Sequence, residues 1–465
     1  MSLTGAAFLV SFAGGLWLAV FRHPRYGLYT YVAVFYLHPP SRWWGETLPD
    51  LRWALVAAVV TLIVTLRLPA EPGRPSWLRT TPAKALLLFT GWLWIQSLWA
   101  LDPVQHQEAC LLFTKYVVLY YLIYRLVLTP ADVSRFLLVH LLGCAYLGWL
   151  AFSTDVSGRL EGVGGPGIDE ANAFAMQMGT GVVAGAMIAL TMPGARRWGA
   201  ILALPFILNG VILSGSRGGF LALIAGGLVL WYLKPLEYRK LFYVFACLGL
   251  IVFGRLAHDI FWNRIISIEA VAERNEAAMD DSALSRFALI QAQMRMAADY
   301  PFGTGHRGTA VLSPRYLDER FLSVTATEEQ KRQRSSHNTF MTALVEQGSP
   351  GAVWFVWIFG WSAIAVVRIK ARSAGDIELR AALASVAAGL AVVLVAGIFV
   401  DYLKTEVQVW LWGLLAAMLA FDPALAKRSV ADTVDGAPGD ERLPAIVPGS
   451  GAVAHGPAGT RQGGA

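Results

Sequence analysis

The chain has 465 residues, 56% of them hydrophobic and 15% charged, a balance that excludes an ordinary soluble globule and fits an all-α polytopic membrane protein. Its net charge of +6 does not point to nucleic acid, because the basic residues are scattered through short loops rather than massed on one face. Cys110, Cys144 and Cys247 lie in apolar runs without metal-ligand spacing and are expected to be packing residues.

Apolar stretches suited to crossing about 30 Å of hydrocarbon recur along the chain. In order they are 3–21, 26–38, 52–66, 84–100, 109–128, 136–152, 171–192, 198–213, 219–233, 241–257, 350–367, 381–400 and 406–421. They predict twelve or thirteen membrane helices, the run 26–38 being short. The first run has no basic n-region and no small-x-small cleavage site in the following "VFRHPRY", so it is expected to be retained rather than removed as a signal peptide.

Short basic loops orient such a chain. "RLPAEPGRPSWLRTTPAK" (67–84), "ARRW" (195–198), "KPLEYRK" (234–240) and "RIKAR" (368–372) are separated by even numbers of runs and are all expected in the cytoplasm. The tight connection "SGSRGG" (214–219) and a polar segment of about 80 residues from 258 to 336 then fall on the external, periplasmic side; loops that long are usually functional or disordered. Over residues 255–334, 11 Lys/Arg balance 11 Asp/Glu, so the loop is not a basic patch. Within it "DDSALSRFALIQAQMRMAADYP" (280–301) predicts an amphipathic helix against the membrane domain, with Leu284, Phe287, Ala288, Ile290, Ala292 and Met294 on the apolar side, Ser282 as N-cap and Pro301 as stop. The expected organisation is a membrane bundle (1–257), a large periplasmic loop (258–349), C-terminal membrane helices (350–422) and a disordered cytoplasmic tail (423–465). No repeat of 20–50 residues or two-half symmetry is evident.

Arg217 stands among Gly215, Gly218 and Gly219. It reads either as an interfacial arginine snorkelling from a helix end or as an anion ligand beside the free N–H groups that open the next helix. In "SSHNTFMTALVEQGSPG" (335–351), Ser336 is a good N-cap and Gly348 a good C′ residue, which makes His337 the first residue of a short helix. There the helix dipole favours neutral imidazole, either as a proton acceptor or as a plain interfacial residue. "YPFGTGHRG" (300–308), with His306 and Arg307, is a glycine-permitted turn that approaches a ligand or ends the helix. Lys115, Asp169 and Glu170 are isolated polar residues suited to lining a cavity, and Asn172 begins a span on the external side as part of a site wall. Walker, GxSxG and HExxH motifs are absent.

The ordered set "SGSRGGFLAL", "SRFALIQAQMRMAADYPFGTGHRG" and "SSHNTFMTALVEQGSPG" resembles the O-antigen ligase and O-antigen polymerase superfamily over roughly residues 160–420. The opening "FRHPRYGLYTYVAVFYLHPP" with "RWWGETLPDLRW" looks like the branch of O-glycosylation ligases associated with exosortase systems. The resemblance implies a GT-C-like, inverting, metal-independent glycosyltransferase of the bacterial inner membrane, without cofactor and expected to be a monomer. Its donor would be a glycan on undecaprenyl pyrophosphate and its acceptor a hydroxyl of lipid A core, with membrane lipid as the remaining partner. Carried over, Arg217 and Arg286 would bind and stabilise the pyrophosphate, and His337 would be the general base. Ser216, Gly218, Asn338, His306, Arg307 and Asn172 would complete the substrate-binding set. A polymerase acting on a second lipid-linked glycan, a protein O-oligosaccharyltransferase and, from a different class, a flippase for lipid-linked sugars are the competing readings.

Overall fold

The computed structural model describes residues 2–154, 160–257, 281–322 and 333–421, and among these the regular elements are helices, with no strand. In chain order they are α1 (Leu3–Phe21), α2 (Arg25–Leu37), α3 (Trp53–Leu66), α4 (Thr81–Gln96), α5 (Pro103–Leu126), α6 (Pro130–Ser153), α7 (Ala171–Thr191), α8 (Gly194–Leu213), α9 (Arg217–Leu233), α10 (Arg239–Leu256), α11 (Asp281–Asp299), α12 (Gly308–Tyr316), α13 (Thr339–Glu346), α14 (Gly348–Arg372), α15 (Ile377–Ala396) and α16 (Glu406–Leu419). Each of the apolar runs forms a helix, and the large loop contributes α11 to α13. The expected tail at 423–465 and loop residues 258–280 and 323–332 lie outside the described residues.

Local chemistry sets the helix ends. Asp102 and Asp376 cap α5 and α15 by accepting from Gln105 N and Leu379 N, and Thr129 with Asp132 forms a reciprocal capping box on α6. The chain turns at His38, which is left-handed at φ 34°, and Pro39 follows.

Seven of these helices are long and apolar enough to cross a bilayer: α1, α5, α6, α7, α8, α14 and α15. This is a multi-pass membrane protein. Bulky apolar side chains such as Val10, Trp17, Leu88, Leu228 and Val367 are exposed on the outer helix faces, where lipid rather than water is the compatible neighbour. The remaining runs are shorter. At 14 residues α3 and α16 reach only about 21 Å, and α9 meets the following helical segment at a bend of 109°. Past that bend α10 is mostly exposed; Phe253 is its buried residue and stacks on Phe220 at 5.4 Å. Cys110 and Cys144 are buried, but Cys247, expected as a packing residue, is exposed on α10, because this helix has little to pack against.

The centre of the bundle is a seam of small residues. Helices α7 and α15 are the most enclosed of the long apolar helices, and α9 lies against both. A Cβ at Gly219 would come within 2.5 Å of the Ala175 Cβ on α7, and one at Gly226 within 2.5 Å of Val392 on α15. Close helix approach of this kind is what glycine permits in lipid, where dispersion contacts rather than water exclusion hold helices together.

Loops collect at two ends. At one, Arg74 donates to the Val127 carbonyl, Arg25 and Arg135 pair with Asp132, and Arg380 pairs with Glu237. The opposite end carries α11 to α13. There α11 buries Leu289, Ala292 and Met296 against Leu312, Leu317, Leu322 and Val345. This corrects the expected apolar face: Phe287 and Met294 are exposed, since the helix is rotated so that its packed stripe runs through 289, 292 and 296. Ser282 falls within the α11 range, and Pro301 follows the helix end.

The seam makes a paired test. Gly226→Ala should lower the thermal unfolding midpoint in detergent by about 1–3 °C, since overpacking costs about 1–3 kcal/mol. Gly227→Ala, with open space around its Cβ, should leave the midpoint unchanged or raise it, Ala being favoured over Gly in a helix by up to about 1 kcal/mol. Circular dichroism of the two purified variants against wild type gives the comparison.

Candidate functional site

Arg217 occupies the first position of α9. Gly215 takes the left-handed backbone (φ 57°) that the turn out of α8 requires, and Ser216 caps α9 by accepting from Gly219 N at 3.0 Å. The Ser216 hydroxyl donates to Asn172 Oδ1 at 2.8 Å, and both residues are buried. Gly218 faces Phe399; a Cβ there would lie 2.6 Å from it. The glycine is therefore explained by close packing of α9 under the segment that follows α15.

His337 sits just ahead of α13 and not at its first position. The cap is Asn338, whose side-chain oxygen accepts from Phe340 N and Met341 N at 2.9 and 3.0 Å. Ser336, the expected cap, instead accepts from Gln293 Nε2 at 2.8 Å and from Asn338 N at 3.3 Å. The Asn amide oxygen satisfies two of the orphan N–H groups, and the cap falls two residues after the expected serine. The dipole reasoning for a first-turn histidine does not transfer to His337, because the effect fades outside the terminal turn. Its segment is held instead by the chain after α15: Thr339 N donates to Gly397 O at 2.8 Å, and Asn338 Nδ2 to Ile398 O at 3.0 Å.

Arg217, Arg286 and His337, far apart in sequence, line one cavity of about 180 Å³. Arg286 comes from α11 together with Phe287, Ile290 and Gln293; Leu221, Asn338, Ile398 and Phe399 complete the wall. The surroundings are largely apolar, so the guanidinium groups act where charge interactions are less screened than in water. Phe287, left out of the packed stripe of α11 and partly exposed, contributes to the wall of this cavity.

The other expected residues fall elsewhere. Ser216 and Asn172 stand directly behind Arg217 as a hydrogen-bonded pair and do not line the cavity. His306 and Arg307 do not line it either: His306 Nδ1 lies 3.1 Å from Glu346 Oε2, His306 N donates to His106 Nδ1 at 2.8 Å, and Arg307 N donates to Glu346 Oε2 at 3.0 Å. These contacts fasten the 301–308 turn to the end of α13 and the start of α5. The base of that turn is closed by Ser349 N donating to Pro301 O at 2.9 Å, with left-handed Gly303 and Gly348 face to face, a Cβ on either coming within 2.5 Å of the other's backbone nitrogen. Lys115 lines a larger, separate cavity of about 500 Å³ between α2, α3 and α5, with Glu406 accepting from Tyr31 at 2.8 Å. Asp169 and Glu170 line neither. Among the described residues no group of three His, Cys, Asp or Glu side chains is placed to hold a metal ion.

Several participants were not evident from sequence. Glu346 accepts backbone hydrogen bonds at the core of the turn, Gln293 fixes Ser336, and Tyr402 reaches Asn172. The polar run "DYLKTE" (401–406) between two apolar stretches was the available signal. Within it, burial pushes the Asp401 carboxyl up to about 6, Glu346 adds repulsion, and a hydrogen bond from Leu403 N pulls the other way.

That shift fixes a sign. A raised carboxyl pKa means that the folded protein binds more protons than the unfolded chain between about pH 4 and 6, so this group makes stability fall as pH rises through that window. Asp401→Asn should remove the fall: the variant's unfolding midpoint should gain on wild type from pH 4 to 6 and hold that gain above pH 6. Parallel thermal melts across this range measure it, and identical pH dependence in both proteins would refute it.

Residues 200–356 match the family model described as O-antigen ligase. This segment contains Arg217, Arg286 and His337. No curated protein matches the chain.

Proposed function

From the match of residues 200–356 to the O-antigen ligase family model, we propose that the chain is an O-antigen ligase, an inverting and metal-independent glycosyltransferase working on the periplasmic face of the inner membrane. The donor is a glycan on undecaprenyl pyrophosphate and the acceptor is a hydroxyl of lipid A core. The observation that carries this reading is the convergence of two arginines and one histidine on a single cavity with apolar walls.

The chemistry follows from the leaving group. Cleaving the bond between the anomeric carbon and the phosphate oxygen leaves its electron pair, and hence added negative charge, on the diphosphate. Arg217 and Arg286 offer planar donor forks to those oxygens and stabilise the charge as it develops. His337 accepts the acceptor hydroxyl proton while that oxygen bonds to the anomeric carbon from the opposite face, which inverts the centre. The apolar wall from Leu221, Phe287, Ile398 and Phe399 suits the first isoprene units of the carrier and keeps water from competing as acceptor.

With purified protein, lipid-linked glycan donor and lipid A core, transfer should proceed undiminished in EDTA. His337→Ala and Arg217→Ala should each reduce it by about 10²–10⁴-fold. Strict dependence on added divalent metal, or full activity in both variants, would overturn the mechanism. Transfer to a second lipid-linked glycan in place of lipid A core would identify a polymerase.

A further inference from the structure

The arginine and histidine arms of the cavity stand on separate elements, α9 and the turn before α13, which share little direct packing. A buried chain of hydrogen bonds joins them. Behind Arg217, the Ser216 hydroxyl donates to Asn172 Oδ1 at 2.8 Å. The carbonyl of the same Asn172 accepts from Tyr402 Oη at 2.5 Å. Tyr402 N then donates to Thr339 Oγ1 at 2.8 Å, and Thr339 Oγ1 donates to Val400 O at 2.8 Å. Thr339 is two residues from His337. Ser216, Asn172, Thr339 and Tyr402 are all buried, at 1%, 6%, 2% and 3% exposure, and Asn172, Thr339 and Tyr402 do not line the cavity.

We propose that Asn172, Tyr402 and Thr339 are positioning residues that fix the distance between the phosphate-binding arm and the general base. The inference rests on the proposed transfer reaction, and it moves Asn172 from an expected substrate ligand to a spacer behind the site. Its physical basis is that burial makes each bond costly to lose, and that a displacement of about 1 Å between reacting groups costs on the order of 10²-fold in rate. The three residues touch neither donor nor acceptor, so their effect falls on the chemical step and not on donor binding.

Steady-state kinetics of Tyr402→Phe, Thr339→Val, Asn172→Ala and the double variant Tyr402→Phe/Thr339→Val test this, with rates normalised to sites that bind undecaprenyl pyrophosphate so that a misfolded fraction does not count. Each single variant should lose about tenfold or more in kcat with donor KM within twofold of wild type. The double variant should be no slower than its slower parent, as expected of residues acting in one chain. Unchanged kcat in the single variants, a multiplicative loss in the double variant, or a rise in donor KM that accounts for the Asn172→Ala defect would each overturn the positioning role. A wild-type protein that transfers nothing would instead overturn the transfer reaction itself, and with it any positioning of that reaction.

Discussion

Close approach of α7, α9 and α15 is the constraint on which the rest depends. In lipid, helices gain nothing from excluding water against one another, so they associate where side chains allow dense contact. Gly219 and Gly226 bring α9 against Ala175 and Val392, and Gly218 lets the start of α9 slide beneath Phe399. Once α9 is seated, its first turn sits beside the opening turn of α7 and the chain leaving α15. Both neighbours supply polar groups there, and burial obliges those groups to pair. The cavity is thus a product of helix packing at one end of the bundle.

The polar part of the molecule is built on this base in layers. The segment 397–402 accepts from Thr339 and Asn338 on one side, while Tyr402 donates to Asn172 on the other. Above it α11 brings Arg286 over the cavity and hooks Ser336 through Gln293. Glu346 gathers the backbone of the 305–309 turn, which ties α12 and α13 together. Arginines therefore reach the cavity from two separate elements, Arg217 from α9 and Arg286 from α11.

Apolar length and turn chemistry made most of the architecture legible from sequence: every apolar run is helical, and the helix stop at Pro301 and the left-handed Gly348 fall where residue type requires them. Arg217 stood out because a charged residue among glycines between two apolar runs is costly, His337 because of the expected helix start beside it, and Arg286 only through the family resemblance. What escaped had physical reasons. The cap of α13 went to Asn338 rather than Ser336, a contest between two good caps that propensity does not decide. The packed stripe of α11 is rotated from the expected one because Phe287, apolar and helical in spacing, turns toward the cavity instead of the core. Asn172 and Tyr402 meet across 230 residues, and no local pattern encodes such a contact. Apolar runs do not give the angle between helices: Pro235 marks where α9 stops, but the size of the bend there, 109°, is not written in the runs on either side.

The closed base of the 301–349 excursion has its own consequence for how this chain can vary. Its two ends are pinned by Ser349 N on Pro301 O and by Gly303 set against Gly348, so loop closure is settled within a few residues at the neck. The entropy of closing a loop grows only logarithmically with its length, about 0.6 kcal/mol for each doubling. Closing the excursion therefore costs little more for a longer chain than for a shorter one, whereas any side chain at either neck glycine collides with the opposite backbone. The two neck glycines are thus the positions of the excursion least open to substitution, a constraint set by steric exclusion and independent of how long the excursion is.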